Sequence, residues 1–434
     1  MKNLYITTFG CQMNKRDSER IAGLLEKMEY RLTEDKTEAD LIIINTCSIR
    51  DKAEQKVYSV LGKFNRLKEN NPNLILGVGG CVAQQEGEKL LRRVSCLDMV
   101  FGTHSLHLLP GIIRKIEGKR ARVCKTTLSD SIDPEDSFVS PNSDQRIKAY
   151  VTIMQGCDNY CSYCIVPHVR GREVSRKSAD IAAEIQGLAD KGIKEVTLLG
   201  QNVNSYGKRD NSGVSFPALL KKIAGINGIE RIRFTTSNPR DLSRELIRSF
   251  AEIEKLCNHI HLPIQSGSNR ILKRMNRQYT RDTYIEKVLE LRSLNPDIGL
   301  TTDIIVGFPG ETEEDFKETI ELLKEIEFDN IYSFKFSPRP ETAAACFNDQ
   351  VSEDIKSERL FILQGLQKRI TEKKSMTMEG KVCSVLVEGR SKRKHEELTG
   401  RTLCNRVVNF KGATELIGEI ITIRIKKCSI PCTS

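Results

Sequence analysis

The chain has 434 residues, enough for two to four domains, and its 39% apolar content excludes disorder or a fibrous repeat over most of its length. No run reaches the ~18 apolar residues of a membrane span, and Met1-Lys2-Asn3 leads straight into a strand-like segment, so a soluble cytoplasmic protein without membrane contact is expected. The 68 Lys and Arg against 58 Asp and Glu give a net charge of +10 that suits a polyanionic partner, and 14 cysteines in a reducing compartment point to metal or redox chemistry.

Residues 1–124 alternate strand and helix. Strands are predicted at Leu4–Phe9, Leu41–Asn45, Leu74–Val78 and Met99–Phe101. An amphipathic helix with Ile21, Leu24, Leu25 and Met28 on one face follows the first, with Asp17 and Ser18 as capping residues. Such alternation favours a parallel sheet covered on both faces, an α/β domain. Residues 125–145 are acidic, polar and poor in apolar residues, and read as a linker.

A second strand–helix series occupies 146–372. Its strands are Tyr150–Met154, Glu195–Leu199, Arg231–Thr235, His259–Pro263, Leu300–Val306 and Asn330–Phe336. Six such units predict a full or partial β/α barrel, with its chemistry at the carboxyl ends of the strands. From 376 to 434 the texture changes to short strands, Val382–Val387, Arg406–Phe410 and Glu419–Ile425, separated by Gly389, Gly400 and Gly412. That pattern predicts a small β-barrel. It holds eleven Lys and Arg against six Asp and Glu, so half of the excess charge lies in the last seventh of the chain.

Two groups of cysteines stand out. Cys157, Cys161 and Cys164 have the spacing C-x3-C-x2-C directly after the first barrel strand. Three thiolates on one loop can bind three irons of a 4Fe-4S cluster and leave the fourth without a protein ligand. The same three with His168 could instead close a tetrahedral zinc site. The second group is dispersed: Cys11, Cys47 and Cys81 each follow a predicted strand. Carboxyl ends of parallel strands share one edge, where open α/β sheets place their sites. The group is therefore either a second metal site or three core thiols. Cys96, Cys124, Cys257, Cys346, Cys383, Cys404, Cys428 and Cys432 fit neither pattern and read as core or surface thiols.

The cysteine motif, with Tyr163 before its third cysteine and a barrel after it, resembles the radical S-adenosylmethionine superfamily. Phe9-Gly10-Cys11-Gln12-Met13-Asn14, Asn45-Thr46-Cys47-Ser48-Ile49-Arg50 and Gly79-Gly80-Cys81 resemble the N-terminal domain of the methylthiotransferases. That resemblance covers nearly the whole chain. It implies two 4Fe-4S clusters, one on Cys157, Cys161 and Cys164 and an auxiliary one on Cys11, Cys47 and Cys81, with S-adenosylmethionine as cofactor.

Several barrel strands end in polar or glycine-rich turns. Gln201, Asn202, Ser237 and Gln265 lie in them and carry amide and hydroxyl groups suited to S-adenosylmethionine. The basic runs Val169–Arg172 and Arg270–Arg277 are candidate phosphate contacts. The C-terminal module, with Gly389-Arg390-Ser391-Lys392-Arg393-Lys394, resembles the TRAM domain of RNA-modifying enzymes. Gly400–Phe410 and Gln265–Asn269 resemble the branch acting on isopentenylated adenosine in transfer RNA. Leu403 and Cys404 stand where more polar residues are expected, and Glu341 where a glycine is usual.

The resemblance implies transfer of a methylthio group to C2 of N6-(dimethylallyl)adenosine at position 37 of tRNA, beside the anticodon. One S-adenosylmethionine supplies the methyl group and a second the 5′-deoxyadenosyl radical. The partners implied are the tRNA anticodon stem-loop and donors of electrons and sulfur that no motif identifies, and the chain is expected to be a monomer. Two rival readings remain: a methylthiotransferase acting on an aspartate of a ribosomal protein, and a non-catalytic, zinc-stabilised RNA-binding protein.

Overall fold

The computed structural model describes residues 1–48, 51–129, 147–209 and 213–428, with backbone alone for 51–55. Most of the predicted linker, Ile49, Arg50 and Cys432 lie outside the described residues.

The N-terminal part runs β1 (Lys2–Thr8), α1 (Gln12–Glu26), β2 (Tyr30–Leu32), β3 (Leu41–Thr46), α2 (Asp51–Asn70), β4 (Ile75–Gly80), α3 (Cys81–Glu86), α4 (Glu88–Arg93), β5 (Met99–Phe101), α5 (Leu109–Lys119) and β6 (Val123–Lys125). Its six strands form one parallel sheet in the order β2-β1-β3-β4-β5-β6. Alternate residues of β3 serve opposite faces. Leu41 and Ile43 pack with Ile21 and Leu25 of α1, while Ile42 and Ile44 pack with Val57, Leu61 and Phe64 of α2. The chain thus winds both ways from the β1–β3 junction, the place where doubly wound sheets open a crevice for ligands. The edge strands β2 and β6, three residues each, were not anticipated.

The barrel runs β7 (Lys148–Thr152), β8 (Met154–Gln155), α6 (Val166–Arg170), β9 (Val174–Ser175), α7 (Ser178–Asp190), β10 (Glu195–Leu199), α8 (Phe216–Ala224), β11 (Arg231–Thr235), α9 (Arg244–Glu252), β12 (His259–His261), α10 (Asn269–Arg274), α11 (Arg281–Leu294), β13 (Gly299–Val306), α12 (Glu313–Ile326), β14 (Asn330–Lys335) and α13 (Glu353–Met376). Parallel sheets β7-β10-β11 and β12-β13-β14 are joined by a bridge from Ile232 to Leu256, giving a partial barrel of six parallel strands. Val196, Leu198, Ile232, Phe234, Ile260 and Leu300 turn outward into one core beneath the helices. The intervening residues face the lumen.

The last part is an antiparallel sheet in the order β17-β16-β15-β18, made of β15 (Val382–Arg390), β16 (Glu397–Thr402), β17 (Val407–Lys411) and β18 (Ile420–Arg424). β16 was not predicted, because Gly400 was read as a separator. It is instead mid-strand, and a Cβ there would lie 2.5 Å from Leu386 O of β15. The β16–β17 turn sits on the amino-terminal end of the barrel. Arg231 donates to Arg401 O and Ser384 Oγ, and Arg233 to Thr402 O and Leu403 O. Arg233 also pairs with Glu195 at 2.9 Å. Leu403 and Cys404 depart from polar expectation because this turn packs on protein. Cys404 O lies 2.8 Å from where a Cβ on Gly299 would be.

Candidate active site

Cys157, Cys161 and Cys164 lie on the loop between β8 and α6. The turn into it needs Gly156, at φ +80, since a Cβ there would fall 1.9 Å from Arg172 O. The neighbouring Cys161 thiol adds to the effect of burial on the other two. Burial chiefly lifts Cys157 to about 11 and Cys164 to about 12. Two donors aim at the sulfurs. Asn159 Nδ2 lies 3.3 Å from Cys157 Sγ, and Arg277 Nη1 lies 3.3 Å from Cys161 Sγ. Arg277 is anchored by a 2.8 Å bond to Pro263 O. Such donors favour thiolates, the form that binds metal.

Cys11, Cys47 and Cys81 meet at the carboxyl edge of the N-terminal sheet. Gly10, at φ +147, brings the β1 end against β3, where a Cβ would lie 2.6 Å from Cys47 Cβ. Asn14 on the first turn of α1 accepts from Cys11 and donates to Asn45 Oδ1 and Thr46 O, fastening helix to strand end. A hydrogen bond to Cys47 lowers the Cys11 pKa to about 6 against the opposing effect of burial, with Arg170 assisting. Burial raises Cys81, partly offset by Arg170.

The two groups are joined by Ile165–Arg170, which directly follows Cys164. Ile165 and Val169 pack on Cys81. Val169 O accepts from Thr103, and Arg170 O lies 2.9 Å from His104 Nε2. Arg170 Nη2 pairs with Asp17 of α1 at 2.7 Å, both side chains buried. Burial alone would lower the Arg170 pKa, but Asp17 and the thiols of Cys81 and Cys11 reverse it. The helical part of this run, Val166–Arg170, rises only about 6 Å. A second seam of buried charge, Arg16 and Arg176 on either side of Glu184, holds α1 to the barrel.

Among the described residues no three His, Cys, Asp or Glu side chains converge on a point that one ion could occupy. His168, the fourth residue of the alternative zinc set, has its Nδ1 3.4 Å from Glu341 Oε2. An iron–sulfur cluster takes one thiolate per iron, and each cysteine trio supplies three such donors.

Residues 3–102 match the model of uncharacterized protein family UPF0004, 151–323 that of the radical SAM superfamily, and 376–429 that of the TRAM domain. The tRNA-2-methylthio-N(6)-dimethylallyladenosine synthases of Syntrophus aciditrophicus and Geobacter metallireducens are 55% and 54% identical to this chain. Each alignment covers 98% of it, and 92% and 96% of the relatives. The chain belongs to the tRNA-2-methylthio-N(6)-dimethylallyladenosine synthase family. Among solved structures, a radical S-adenosylmethionine methyltransferase from Kitasatospora setae superposes with TM-score 0.59 at 12% identity, over 79% of this chain and 74% of that one. The cobalamin-dependent radical enzyme OxsB gives 0.52 at 13%, over 82% and 56%. Both likenesses concern the fold.

In this synthase the four residues assigned to S-adenosylmethionine all lie beyond carboxyl strand ends. Gln201 Oε1 accepts from Gly156 N at 2.6 Å, bracing the cysteine loop. Asn202 is buried and donates to Asp241, while its Oδ1 has no partner. Ser237 Oγ is likewise buried without a partner. Gln265 is buried at φ +78 and adds a rung to β13.

Within the two basic runs, the buried arginines need correction as phosphate contacts, while Arg270 and Lys273 remain exposed. Arg170 and Arg277 are buried beside the cysteines, Arg270 pairs with Asp315, and Arg274 with Asp349 at 2.7 Å. Of the Val169–Arg172 run only Arg172 remains open to solvent. The roles of Arg170 and Arg277 beside the thiols were missed. Their positions, just after Cys164 and just after α10, were the only signal.

Proposed function

We propose that this chain transfers a methylthio group to C2 of N6-(dimethylallyl)adenosine at position 37 of transfer RNA, with Cys157, Cys161 and Cys164 holding one 4Fe-4S cluster and Cys11, Cys47 and Cys81 a second. The observation that carries the reading is the pair of cysteine trios, each at the carboxyl edge of a parallel sheet and linked by the short run Ile165–Arg170. An aromatic C2–H offers no acidic proton, so a general base cannot open that position and a cofactor must supply the reactivity. Bound clusters and S-adenosylmethionine supply it by one-electron cleavage of the sulfonium and by a held sulfur.

The chain's own residues do the positioning. Asn159 and Arg277 donate to the barrel thiolates, and Gln201 fixes the loop that carries them. Arg170 sets a positive charge among Cys11, Cys81 and Asp17, which favours thiolates at the second trio. Asn202, Ser237 and Gln265 offer polar groups to S-adenosylmethionine at the barrel mouth. The C-terminal sheet presents Arg390, Lys392, Arg393 and Lys394 at the surface, where backbone contacts to RNA need them. Among the described residues no helix is long and apolar enough to cross a membrane.

The test is mass spectrometry of tRNA nucleosides from a strain lacking the gene. Dimethylallyladenosine should accumulate without its methylthio group and be restored by the intact gene. Unchanged methylthiolation of tRNA, with a loss on a ribosomal protein instead, refutes the reading.

A further inference from the structure

The inner wall of the barrel carries a constellation that the cysteines do not use. Leu300, Ile304 and Val306 of β13 and Ile331 of β14 are buried under the helices. Their alternates Thr301, Asp303 and Ile305 therefore face the lumen. Partners in a parallel register share a face, so Tyr332 lies beside Asp303, and Phe334 beside Ile305. On β12, His261 lies beside Thr301 on that face.

His261 is held at both nitrogens. Nδ1 lies 3.0 Å from Thr301 Oγ1 and Nε2 lies 3.4 Å from Asp303 Oδ1. Its ring meets Tyr332 edge-on, with centroids 5.7 Å apart. Tyr332 is 47% exposed and Phe334 36%, although both stand on a barrel strand. Large aromatics left this open on a lumen wall mark a binding surface. The wall is continuous with the barrel mouth: Gln265 N donates to Asp303 O, and Ile305 N to Gln265 O. A polar half on β12 and β13 thus adjoins an apolar half on β14, about 5 Å away across one strand spacing.

A purine bearing a branched five-carbon group on N6 has the same division, a polar ring edge next to an apolar substituent. We propose that Tyr332 and Phe334 receive the dimethylallyl group of the substrate adenosine, while Asp303 and His261 face the polar edge of its base; this rests on the tRNA reading above. The Asp303 carboxylate accepts the N6–H, and the substituent then lies across the strand gap on the two aromatics. Preference for the dimethylallylated base comes from apolar burial at this wall. Loss of one aromatic is expected to reduce it by about tenfold or more, as for small apolar differences in other pockets.

The experiment measures the affinity of the holoenzyme for anticodon stem-loop RNA with and without the dimethylallyl group. Wild type is compared with Tyr332→Ala, Phe334→Ala and Tyr332→Phe. Each alanine variant should lose about tenfold or more of the preference while binding unmodified RNA as wild type does, and Tyr332→Phe should keep it. Both side chains are partly exposed, so truncation opens no sealed core cavity, and an unchanged thermal midpoint verifies the fold. Retained preference in both alanine variants overturns the inference. So does an equal loss on both RNAs, which marks a general stacking contact. A wild type that shows no preference and leaves tRNA unmodified overturns the underlying activity instead.

Discussion

Cys157, Cys161 and Cys164 come from one eight-residue stretch, whereas Cys11, Cys47 and Cys81 come from three strand ends spread over roughly seventy residues. The first trio is assembled by a single loop, turned at Gly156 and braced by Gln201. The second exists only when β1, β3 and β4 are paired in register, because a slip by one residue would move each cysteine off the shared edge. Local assembly is therefore tolerant of the surrounding fold, and assembly across a sheet depends on it. Ile165–Arg170 makes the dependence mutual, since it begins at one trio and ends at the other.

The largest effects should separate the trios by what each loss stops. Cys161→Ala should abolish both 5′-deoxyadenosine formation and methylthiolation. Cys47→Ala should abolish methylthiolation while 5′-deoxyadenosine still forms. Chromatography of reaction products reads both, and equal effects on the two outputs would erase the distinction. Next comes the joint. Arg170→Ala strands the buried carboxylate of Asp17, a loss of about 3–5 kcal/mol for a broken buried pair. Urea denaturation measures it, and a change below about 1 kcal/mol, the worth of an exposed pair, would contradict the burial argument.

Gly10→Ala attacks the dispersed trio alone. The new methyl meets Asn14 and Cys47 at a φ of +147, where strain alone costs about 1–3 kcal/mol. Bound iron should fall by about half while 5′-deoxyadenosine formation persists. The smallest effect belongs to the barrel side. Burial raises the Glu311 pKa to about 6 in spite of its 2.7 Å pair with Arg359. Its folded pKa exceeds the unfolded value, so its contribution is most favourable below about pH 4.5 and declines as pH rises toward 6. The decline amounts to about 2 kcal/mol. Glu311→Gln should flatten that part of the stability–pH curve, as followed by denaturation at stepped pH.

Much of this architecture was legible because periodicity and strand-end chemistry are local. Glu195–Leu199 and Arg231–Thr235 were located to the residue, and the convergence of Cys11, Cys47 and Cys81 followed from the shared edge of parallel strands. The direction of a charged side chain was not legible. Arg170 and Arg277 stand in basic runs, yet their partners, Asp17 and Cys161, are more than a hundred residues away. The β16 strand was hidden by Gly400, a glycine that serves a close strand crossing rather than a turn. Glu341 has a backbone reason to be unusual. It sits at φ +64, in the region that favours glycine, and its exposed side chain reaches toward His168.

The central claim is that each trio holds its own cluster. Iron and sulfide content after anaerobic reconstitution tests it most directly. About eight irons per chain are predicted for the wild type, at four per cluster, and about four when either trio is changed to alanine. A wild-type chain that holds a single zinc, or eight irons that survive the loss of Cys11, Cys47 and Cys81, would contradict it.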